Sequence, residues 1–546
     1  MLPRRAPPRW RWITVGRVSE ETPDEGVRAA EVIGALCLAT DLGMGFPFEH
    51  GLQSTLIAMR LADRLGVDST TASQTYYACL LSHSGCTADA HVTPEVYGDS
   101  LTTQFHPLMY GSGREVLTGL IRTLPDPGSA GMVRAAQVAR RFPRMARETR
   151  PHLTAACEVA GMLSEELGLS RSVRGLLAHL LERWDGHGPL RRAKGDEIPL
   201  PMRIVHLAVD AAFQHMLGGE ERVVRLVRGR AGHAFDPKLA ACLVEDATQI
   251  LALDAHASVW EETLACEPHP PLLLDGEGLD RGLAAMGNFA DLISPHLTGH
   301  SAGVAELATA AAQRCPVDAA DTIALRRAAL VHDLGRVAVG ARVWQKPTPL
   351  NADEWEQVRL HPYHTERVLS RSSFLAALAP VAGAHHERLD GSGYHRAAAG
   401  AELALPARLL AAADAYHAMT EPRPHREPLA PERAAEILGN EASAGRLDAD
   451  AVTAVVESAG QRAPRLERPA GLTEREAEVV AMLARGLQTK QVARALGISA
   501  KTADRHIQNA YRKIGVSTRA AATLFAMEHG LTAWGELPIV RPGARP

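Results

Sequence analysis

Histidines and aspartates are concentrated in one part of this chain. Eight of the 24 histidines lie between positions 296 and 395, and Asp333 directly follows His332. Neutral imidazoles and carboxylates are ligands for Mn, Fe or Zn, and a set without thiolates favours Mn or Fe. An aspartate beside a histidine is well placed to bridge two ions, and two ions about 3.5 to 4 Å apart can activate a water while they clamp a phosphate. The pattern therefore predicts two divalent ions and phosphoester hydrolysis.

Four motifs follow one another in this part of the chain. They are HDLGR from His332, HPYHT from His361, HHERLDGSGYH from His385 and ARLLAAADAYHAMT from Ala407. Together they resemble the HD-GYP phosphohydrolases, whose members usually hydrolyse cyclic di-GMP. The resemblance implies that one ion is held by His300, His332, Asp333 and Asp414, and the other by Asp333, His361, His385 and His386. It also implies catalytic roles for Asp333 and Arg336.

Three motif positions differ from the family pattern. Arg336 stands where the family has Lys, His395 replaces the Pro of GYP, and Thr365 replaces the Gly of HPxxG. Arg336 can still contact a phosphate, but its planar guanidinium is not equivalent to an ammonium. His395 is either a substrate contact or a solvated loop residue. Because these differences concern the substrate rather than the metal ligands, cyclic di-GMP is the leading candidate and another phosphorylated nucleotide stays open.

The other histidines near this region follow weaker patterns. The spacing places His296 one turn before His300 on the same helix face, where some family members have Glu as an extra ligand. A single histidine on an apolar helix is more often packed or exposed than a ligand. That interpretation applies to His364, His417 and His425.

Helices must position these side chains. Ala, Leu and Val recur at helical spacing through most of the 546 residues, and alternating β-branched runs are scarce, which indicates an all-α fold. Pro- and Gly-rich segments and changes in pattern divide the chain. We expect an N-terminal extension (1–30), a first block (31–265), a linker (266–280), a second block (281–460), a linker (461–470), a C-terminal module (471–535) and a tail (536–546).

The two blocks share an internal repeat. ERWDGHG at 182–188 matches ERLDGSG at 387–393, and LPMRIVHLAVD at 200–210 matches LPARLLAAAD at 405–414 with one extra residue in the first copy. The ends of the blocks match in the same order, which predicts two HD-type helical domains in tandem.

The first copy has lost the ligand pairs. Ser84 follows His83 where the second copy has His-Asp, and Leu180 and Leu181 replace the two adjacent histidines. The first block is therefore expected to be noncatalytic and kept for packing, dimerisation or ligand sensing. The alternative is a single ion held by His50, His83 and Asp210.

The C-terminal module is locally basic. Positions 471–530 carry nine Lys or Arg and five acidic residues, whereas the whole chain has a formal charge of -4. Thr473 and Glu476 form a capping box that begins a helix. A short helix at 489–496 ends at Gly497, and Ser499 caps a longer helix at 501–514. Two helices joined by a tight turn, the second rich in DNA-contacting side chains, predict a helix-turn-helix.

The segment from Gly471 to Leu531 resembles the LuxR-type DNA-binding domain, which implies a small four-helix fold that binds double-stranded DNA. Each module presents one short recognition helix, so a homodimer on paired half-sites is expected. Asp504 stands where the family commonly has Lys, which weakens the attraction to phosphates. The candidate DNA contacts are Lys490, Ser499, Lys501, Thr502, Arg505, His506, Asn509, Arg512 and Lys513.

The chain contains no apolar run of the about 20 residues that a membrane-spanning helix needs. Its basic start leads into polar residues rather than a secretion signal, so a cytoplasmic protein without a membrane partner is expected. Seven cysteines without a C-x-x-C pair argue against a disulfide framework or a Cys zinc site. The motifs indicate a transcriptional regulator whose HD site hydrolyses a cyclic dinucleotide. The alternative is a ligand-gated transcription factor whose HD site senses a nucleotide without useful hydrolysis.

Overall fold

The computed structural model describes residues 26–87, 110–125, 128–252, 258–462, 469–484, 487–528 and 531. Within these ranges the fold is all-α, as predicted, apart from an antiparallel pair of two-residue strands, β1 (Val27–Arg28) and β2 (Leu273–Leu274). None of the helices in the described ranges is long and apolar enough to cross a membrane.

The first block is built around packed helices. α2 (His50–Leu65) packs against both α3 (Ser69–Leu80) and α7 (Leu200–Arg230). The described helices are α1 (Ala29–Met44), α2 (His50–Leu65), α3 (Ser69–Leu80), α4 (Gly113–Thr123), α5 (Gly131–Glu166), α6 (Arg171–Leu177), α7 (Leu200–Arg230), α8 (Pro237–Glu245), α9 (Ala247–Ile250) and α10 (Val259–Ala265).

In the second block, the helices that carry the histidines pack on one another. The described helices of this block are α11 (Gly276–Asp291), α12 (His300–Ala312), α13 (Ala319–Val331), α14 (Ala341–Trp344), α15 (Ala352–Arg359), α16 (His361–Leu369), α17 (Ala379–Ala382), α18 (Leu405–Thr420), α19 (Pro431–Ser443) and α20 (Ala449–Ser458). The segment 266–280, expected to be a linker, contains β2 and the beginning of α11.

Matching helix beginnings make the repeat visible in three dimensions. In the first block, the carboxylate of Asp41 accepts a hydrogen bond of 3.1 Å from the backbone N–H of Gly51, the second residue of α2. In the second block, the carboxylate of Asp291 accepts a hydrogen bond of 3.0 Å from the backbone N–H of Ser301, the second residue of α12. Each buried aspartate therefore satisfies an N–H group that the first helical turn leaves unpaired.

The two blocks pack closely on one another. Buried side chains from both blocks form one hydrophobic cluster, and α1 of the first block contacts α16 and the turn Leu334–Ala338 of the second. At the edge of this contact, the guanidinium of Arg367 lies 3.9 Å from the centroid of the Phe48 ring. Arg371 pairs with Glu49 at 2.9 Å. The first block thus contacts the helix that begins at His361.

The described residues of the C-terminal module form four α-helices with hydrophobic clusters of their own. They are α21 (Glu474–Ala484), α22 (Thr489–Ala495), α23 (Ala500–Ile514) and α24 (Arg519–Glu528). The predicted capping box is present, because Glu476 accepts from the Thr473 backbone N–H at 2.8 Å and the Thr473 hydroxyl accepts from the Glu476 N–H at 3.3 Å. The predicted cap of α23 is also present, since the Ser499 hydroxyl accepts from the Thr502 N–H at 3.1 Å.

Candidate active site

Asp333 lies at the centre of the predicted ligand set and is completely buried. Its Oδ2 atom is 2.9 Å from Nε2 of His332 and 3.3 Å from Nε2 of His300. Its Oδ1 atom is 3.2 Å from Nε2 of His361 and 3.3 Å from Nε2 of His385. The two oxygens of one carboxylate therefore face two different pairs of imidazoles, as a carboxylate shared by two ions must.

The backbone sets the orientation of three of these imidazoles. The Nδ1 atoms of His332, His361 and His385 each lie 2.6 to 2.7 Å from the carbonyl oxygen three residues earlier in the chain. A neutral ring that donates its Nδ1–H to a carbonyl keeps a bare lone pair on Nε2. The Nε2 atoms of all three rings face Asp333. Metal-binding histidines usually donate the N–H of the other ring nitrogen to a hydrogen-bond acceptor in the same way.

His300 is oriented by a carboxylate instead. Its Nδ1 lies 2.9 Å from Oε2 of Glu421, and its Nε2 lies 3.2 Å from Oδ1 of Asp414. Asp414 is on α18, and Glu421 directly follows that helix. Glu421 was not predicted, although it stands seven residues, or two helical turns, after Asp414. His417, expected to be packed or exposed, has its Nδ1 2.9 Å from the same Glu421 carboxylate.

His386 completes the second group of ligands. It is half-buried, its ring centroid lies 5.0 Å from that of His361, and its Nδ1 is 3.8 Å from Oδ2 of Asp414. Burial and the neighbouring His385 hold the pKa of His386 well below 6.5. Burial likewise lowers the pKa of His361 to about 4. Both rings are therefore neutral at pH 7, which is the form that coordinates a metal.

Arg336 is the buried cation of the site. Its Nη2 lies 2.6 Å from Oδ2 of Asp333, and its guanidinium lies 5.5 Å from the centroid of the Trp344 ring. Burial alone would raise the pKa of Asp333, but Arg336 and His332 hold it well below 3.8. Within the described residues, Nε and Nη1 of Arg336 are buried without a hydrogen-bond partner. These donors are free to bind a phosphate oxygen.

The predicted ligands fall into two separate groups that suit metal ions, and a third group is formed by His300, His417 and Glu421. In each group one nitrogen or oxygen per residue lies within 4.8 Å of all the others. The first group is His300, His332, Asp333 and Asp414, and the second is His361, His385 and His386. The seven predicted positions are thus brought together. Nitrogen and oxygen ligands without a thiolate fit Mn or Fe.

His296 does not lie where the sequence placed it. Gly299 has φ +80°, so α12 begins at His300, while His296 belongs to a separate 3-10 turn, Pro295–Leu297. The prediction that His296 shares a helix face with His300 is therefore wrong. Within the part of the chain that the structure describes, His296 is in none of the three groups of candidate ligands.

Thr365 has a structural role in this site. Its hydroxyl donates to the carbonyl oxygen of His332 at 2.8 Å and accepts from the backbone N–H of Gly335 at 2.9 Å. The side chain is completely buried and ties α16 to the turn that carries Asp333. The substitution of the family Gly by Thr thus adds a link between two parts of the ligand set.

The first block uses the corresponding residues differently. Asp210 is buried and accepts from Arg230 at 2.7 Å and from Gln214 at 3.0 Å. The ring of His50 packs on Phe46 and Phe213, with centroids 4.7 and 5.8 Å away. None of the candidate ligand groups among the described residues includes a first-block residue. In the first block Asp210 thus takes part in a buried ion pair, and His50 takes part in aromatic packing.

Comparison with known proteins identifies this arrangement. Residues 285–451 match the HD domain family model. A relative from Vibrio cholerae serotype O1 named 3'3'-cGAMP-specific phosphodiesterase 3 is 30% identical over 417 residues, which are 75% of this chain and 90% of the relative. The chain belongs to the HD-domain phosphodiesterases. Members of this family are metal-dependent, in keeping with the His and Asp cluster described above.

Two further comparisons extend this assignment. The crystal structure of a cyclic GMP-AMP specific phosphodiesterase of V. cholerae, V-cGAP3, has a TM-score of 0.54 and 26% identity, and the match covers 80% of this HD-domain phosphodiesterase and 98% of that chain. The cyclic di-GMP phosphodiesterase response regulator RpfG of Xanthomonas campestris pv. campestris is 38% identical over 105 residues, which are 19% of this chain and 28% of that protein.

This HD-domain phosphodiesterase also carries a DNA-binding module. Residues 470–526 match the model of bacterial regulatory proteins, luxR family. On α23 the side chains of Ala503, Ile507 and Ala510 are buried, so the opposite face, with Lys501 and Arg505, is exposed. Of the other predicted DNA contacts, Lys490, Ser499 and Arg512 are exposed, whereas Thr502, His506 and Asn509 are half-buried.

One predicted DNA contact is engaged within the module. The ammonium group of Lys513 lies 2.6 Å from Oε2 of Glu476 and donates to the carbonyl oxygen of Gly471 at 3.0 Å. The same Glu476 carboxylate is part of the capping box of α21. Lys513 therefore links α23 to the beginning of α21 and stabilises the module. This role is separate from any contact with a DNA phosphate.

Proposed function

We propose that this protein hydrolyses a phosphodiester bond of a cyclic dinucleotide in the second block and binds DNA through the C-terminal module as a transcriptional regulator. The observation that carries the enzymatic part is the position of Asp333, whose two carboxylate oxygens each face two imidazole nitrogens at 2.9 to 3.3 Å. This arrangement supports a pair of divalent ions, Mn or Fe rather than Zn, in one site.

The residues of the site have separate roles in this proposal. His300, His332 and Asp414 hold one ion, His361, His385 and His386 hold the other, and Asp333 contacts both. When bound, two ions supply Lewis acidity and lower the pKa of a water molecule. Arg336 positions a phosphate oxygen with the Nε and Nη1 donors that lack a partner among the described residues.

The relatives favour cyclic dinucleotides as the substrate class. One relative that aligns with three quarters of this chain is named a 3'3'-cGAMP-specific phosphodiesterase, and others are named cyclic di-GMP phosphodiesterases. We therefore propose 3'3'-cGAMP and cyclic di-GMP as the two substrates to compare first. Another phosphorylated nucleotide remains compatible with the metal ligands.

Hydrolysis assays on the full chain test the enzymatic proposal. Protein loaded with Mn or Fe is expected to convert at least one cyclic dinucleotide to a linear product. Asp333→Asn is expected to abolish turnover, because the amide removes the charge that both ions share. Asp353→Asn, which changes an exposed aspartate of the same block, is the matched control and should keep full activity. Turnover that is equal in Asp333→Asn and the wild type would refute the proposal.

A nucleotide sensor without useful turnover is the second candidate. The observation that favours it is the ion pair of 2.6 Å between Arg336 and Asp333, because it occupies a carboxylate oxygen that an ion would need. Arg336→Lys restores the family residue and separates the two candidates. A large gain in turnover with unchanged nucleotide affinity would identify the natural protein as a sensor, whereas a loss would identify Arg336 as part of the enzyme.

The regulatory part of the proposal concerns coupling between the two sites. We propose that the protein binds DNA in the cytoplasm as a homodimer on paired half-sites. If nucleotide binding changes DNA affinity, DNA must change nucleotide affinity by the same factor. A nucleotide titration with and without a duplex selected from a random library by the full chain tests this linkage. Identical nucleotide affinities would show that the two activities are independent.

A further inference from the structure

Exposed apolar side chains flank a buried candidate metal ligand in the sequence. Trp355, Leu360 and Tyr363 are 40%, 44% and 44% exposed, whereas His361, between them in the chain, is 1% exposed. Trp355 lies on α15, and Tyr363 lies in the first turn of α16. Large apolar side chains exposed together are uncommon on a protein surface and often mark a binding site.

A series of ring contacts joins this surface to the metal ligands. The ring of Tyr394 packs on that of His386 in a tilted contact, with an interplanar angle of 30° and centroids 4.7 Å apart. Trp355 meets Tyr394 at 6.1 Å in an edge-to-face contact. Tyr363 meets His395 at 5.8 Å in the same manner. Aromatic side chains therefore extend without a break from a candidate ligand to the exposed indole.

Cationic groups lie along the same path. The guanidinium of Arg359 is 5.7 Å from the centroid of the Tyr394 ring. Deeper in the site, Arg336 keeps two donors without a partner among the described residues. A ligand that fits this order has a negatively charged diester at the metal ligands and flat, uncharged rings towards the surface. A cyclic dinucleotide has both parts.

We propose that Trp355 and Tyr363 form a base-stacking surface that holds the purines of the nucleotide while its phosphodiester lies at Asp333. The inference rests on the proposed function of this site, and it assigns specificity to two residues outside the metal-binding motifs. Stacking on an aromatic side chain is tolerant of base identity, because every base has a π face. The surface therefore selects dinucleotides as a class over phosphodiesters without bases.

The test measures the affinity of the full chain for a hydrolysis-resistant phosphorothioate analogue of 3'3'-cGAMP by calorimetry. Trp355→Ala and Tyr363→Ala should each weaken binding by roughly tenfold. Trp355→Phe keeps a ring and should retain most of the affinity. Ile323→Ala is the matched control, because Ile323 is 51% exposed on α13 and is not part of the stacking surface. Metal content and inhibition by inorganic phosphate, which has no base, should be unchanged in all four variants.

The outcomes separate this inference from the proposed function. Affinities in both alanine variants that equal the wild-type value would overturn the stacking surface, even if the wild type hydrolyses 3'3'-cGAMP. Binding that depends on Trp355 without any hydrolysis would support the surface and refute the enzyme. Parallel loss of phosphate inhibition would show that the variants damage the metal site, and a change of oligomeric state would show that the surface is a subunit interface. Either result would overturn the assignment to nucleotide bases.

Discussion

The Nε2 atoms of His361 and His385 lie 3.0 Å apart in the buried centre of the second block. Each ring already has its Nδ1 within hydrogen-bond distance of a backbone carbonyl oxygen, so the two Nε2 atoms face each other as lone pairs. The Oδ1 atom of Asp333 is 3.2 and 3.3 Å from them. Three acceptors that converge without a proton repel one another, and a cation at that point would turn the repulsion into attraction.

This relationship predicts that metal removal destabilises the protein. A ligand at one hundred times its Kd raises the free energy of unfolding by about 2.7 kcal/mol. Removal of the metal by a chelator should therefore lower the Tm by roughly 5 °C. His385→Ala removes one of the opposed lone pairs and a ligand of one ion, so chelator should lower its Tm less than it lowers that of the wild type. Ile323→Ala, on the exposed side of α13, should respond as the wild type does. An equal response of His385→Ala and the wild type would contradict the prediction.

Thr365→Val should destabilise the second block by about 1 to 3 kcal/mol, because the variant leaves the buried N–H of Gly335 without its acceptor. Thr365→Ser keeps the hydroxyl and should lose much less stability than Thr365→Val. Denaturant titration of the two variants measures the difference between them. Equal free energies of unfolding for Val and Ser would show that the link between α16 and the Asp333 turn contributes nothing to stability.

The contact between the blocks predicts that the first block supports the active site without catalysing. Phe48→Ala removes the ring beneath Arg367 and next to Arg371, and cation–π contacts of this kind contribute about 0.5 to 2 kcal/mol. The free energy of unfolding and kcat/KM should both fall. Leu117→Ala alters a 47% exposed side chain elsewhere in the first block and should leave both unchanged. Full activity in Phe48→Ala would argue against a supporting role.

Asp504 is an exposed acid on the recognition helix α23, and its replacement should raise the affinity for DNA. Asp504→Lys should strengthen binding to all duplexes and make the salt dependence steeper by about 0.9 in log–log slope, as expected for one added phosphate contact. Arg505→Ala should weaken binding without changing stability, because Arg505 is exposed. Lys513→Ala should lower stability as well, since it breaks the ion pair with Glu476. Fluorescence anisotropy at several salt concentrations provides these slopes.

The resemblance to the HD-GYP phosphohydrolases, carried by four ordered motifs, named residues of the second block that lie together in the structure. His300, His361 and Asp414 are far apart in the chain, yet each begins or lies on a helix that brings it to Asp333. The failure at His296 has a local cause, because Gly299 adopts a left-handed φ of +80° and interrupts the helical spacing that the prediction assumed. Turn conformations of this kind are not evident from helical periodicity.

Contacts between distant segments could not be predicted from patterns. Glu421 orients His300 from 121 residues away, and the acid itself belongs to no motif. The packing of α1 on the turn after Asp333 could not be predicted either, because the repeat shows only that the two blocks are copies and not that they contact each other. Such relationships depend on how helices pack, and apolar spacing reports only that a face is buried.

Metal analysis tests the central claim, that Asp333 is shared by two ions, most directly. Full-length protein prepared anaerobically with Mn or Fe should contain about two ions per chain by mass spectrometry. Asp333→Ala should contain close to none, because both groups of ligands lose their common carboxylate. Asp353→Ala, an exposed aspartate of the same block, should keep both ions. A metal content in Asp333→Ala equal to that of the wild type would contradict the account.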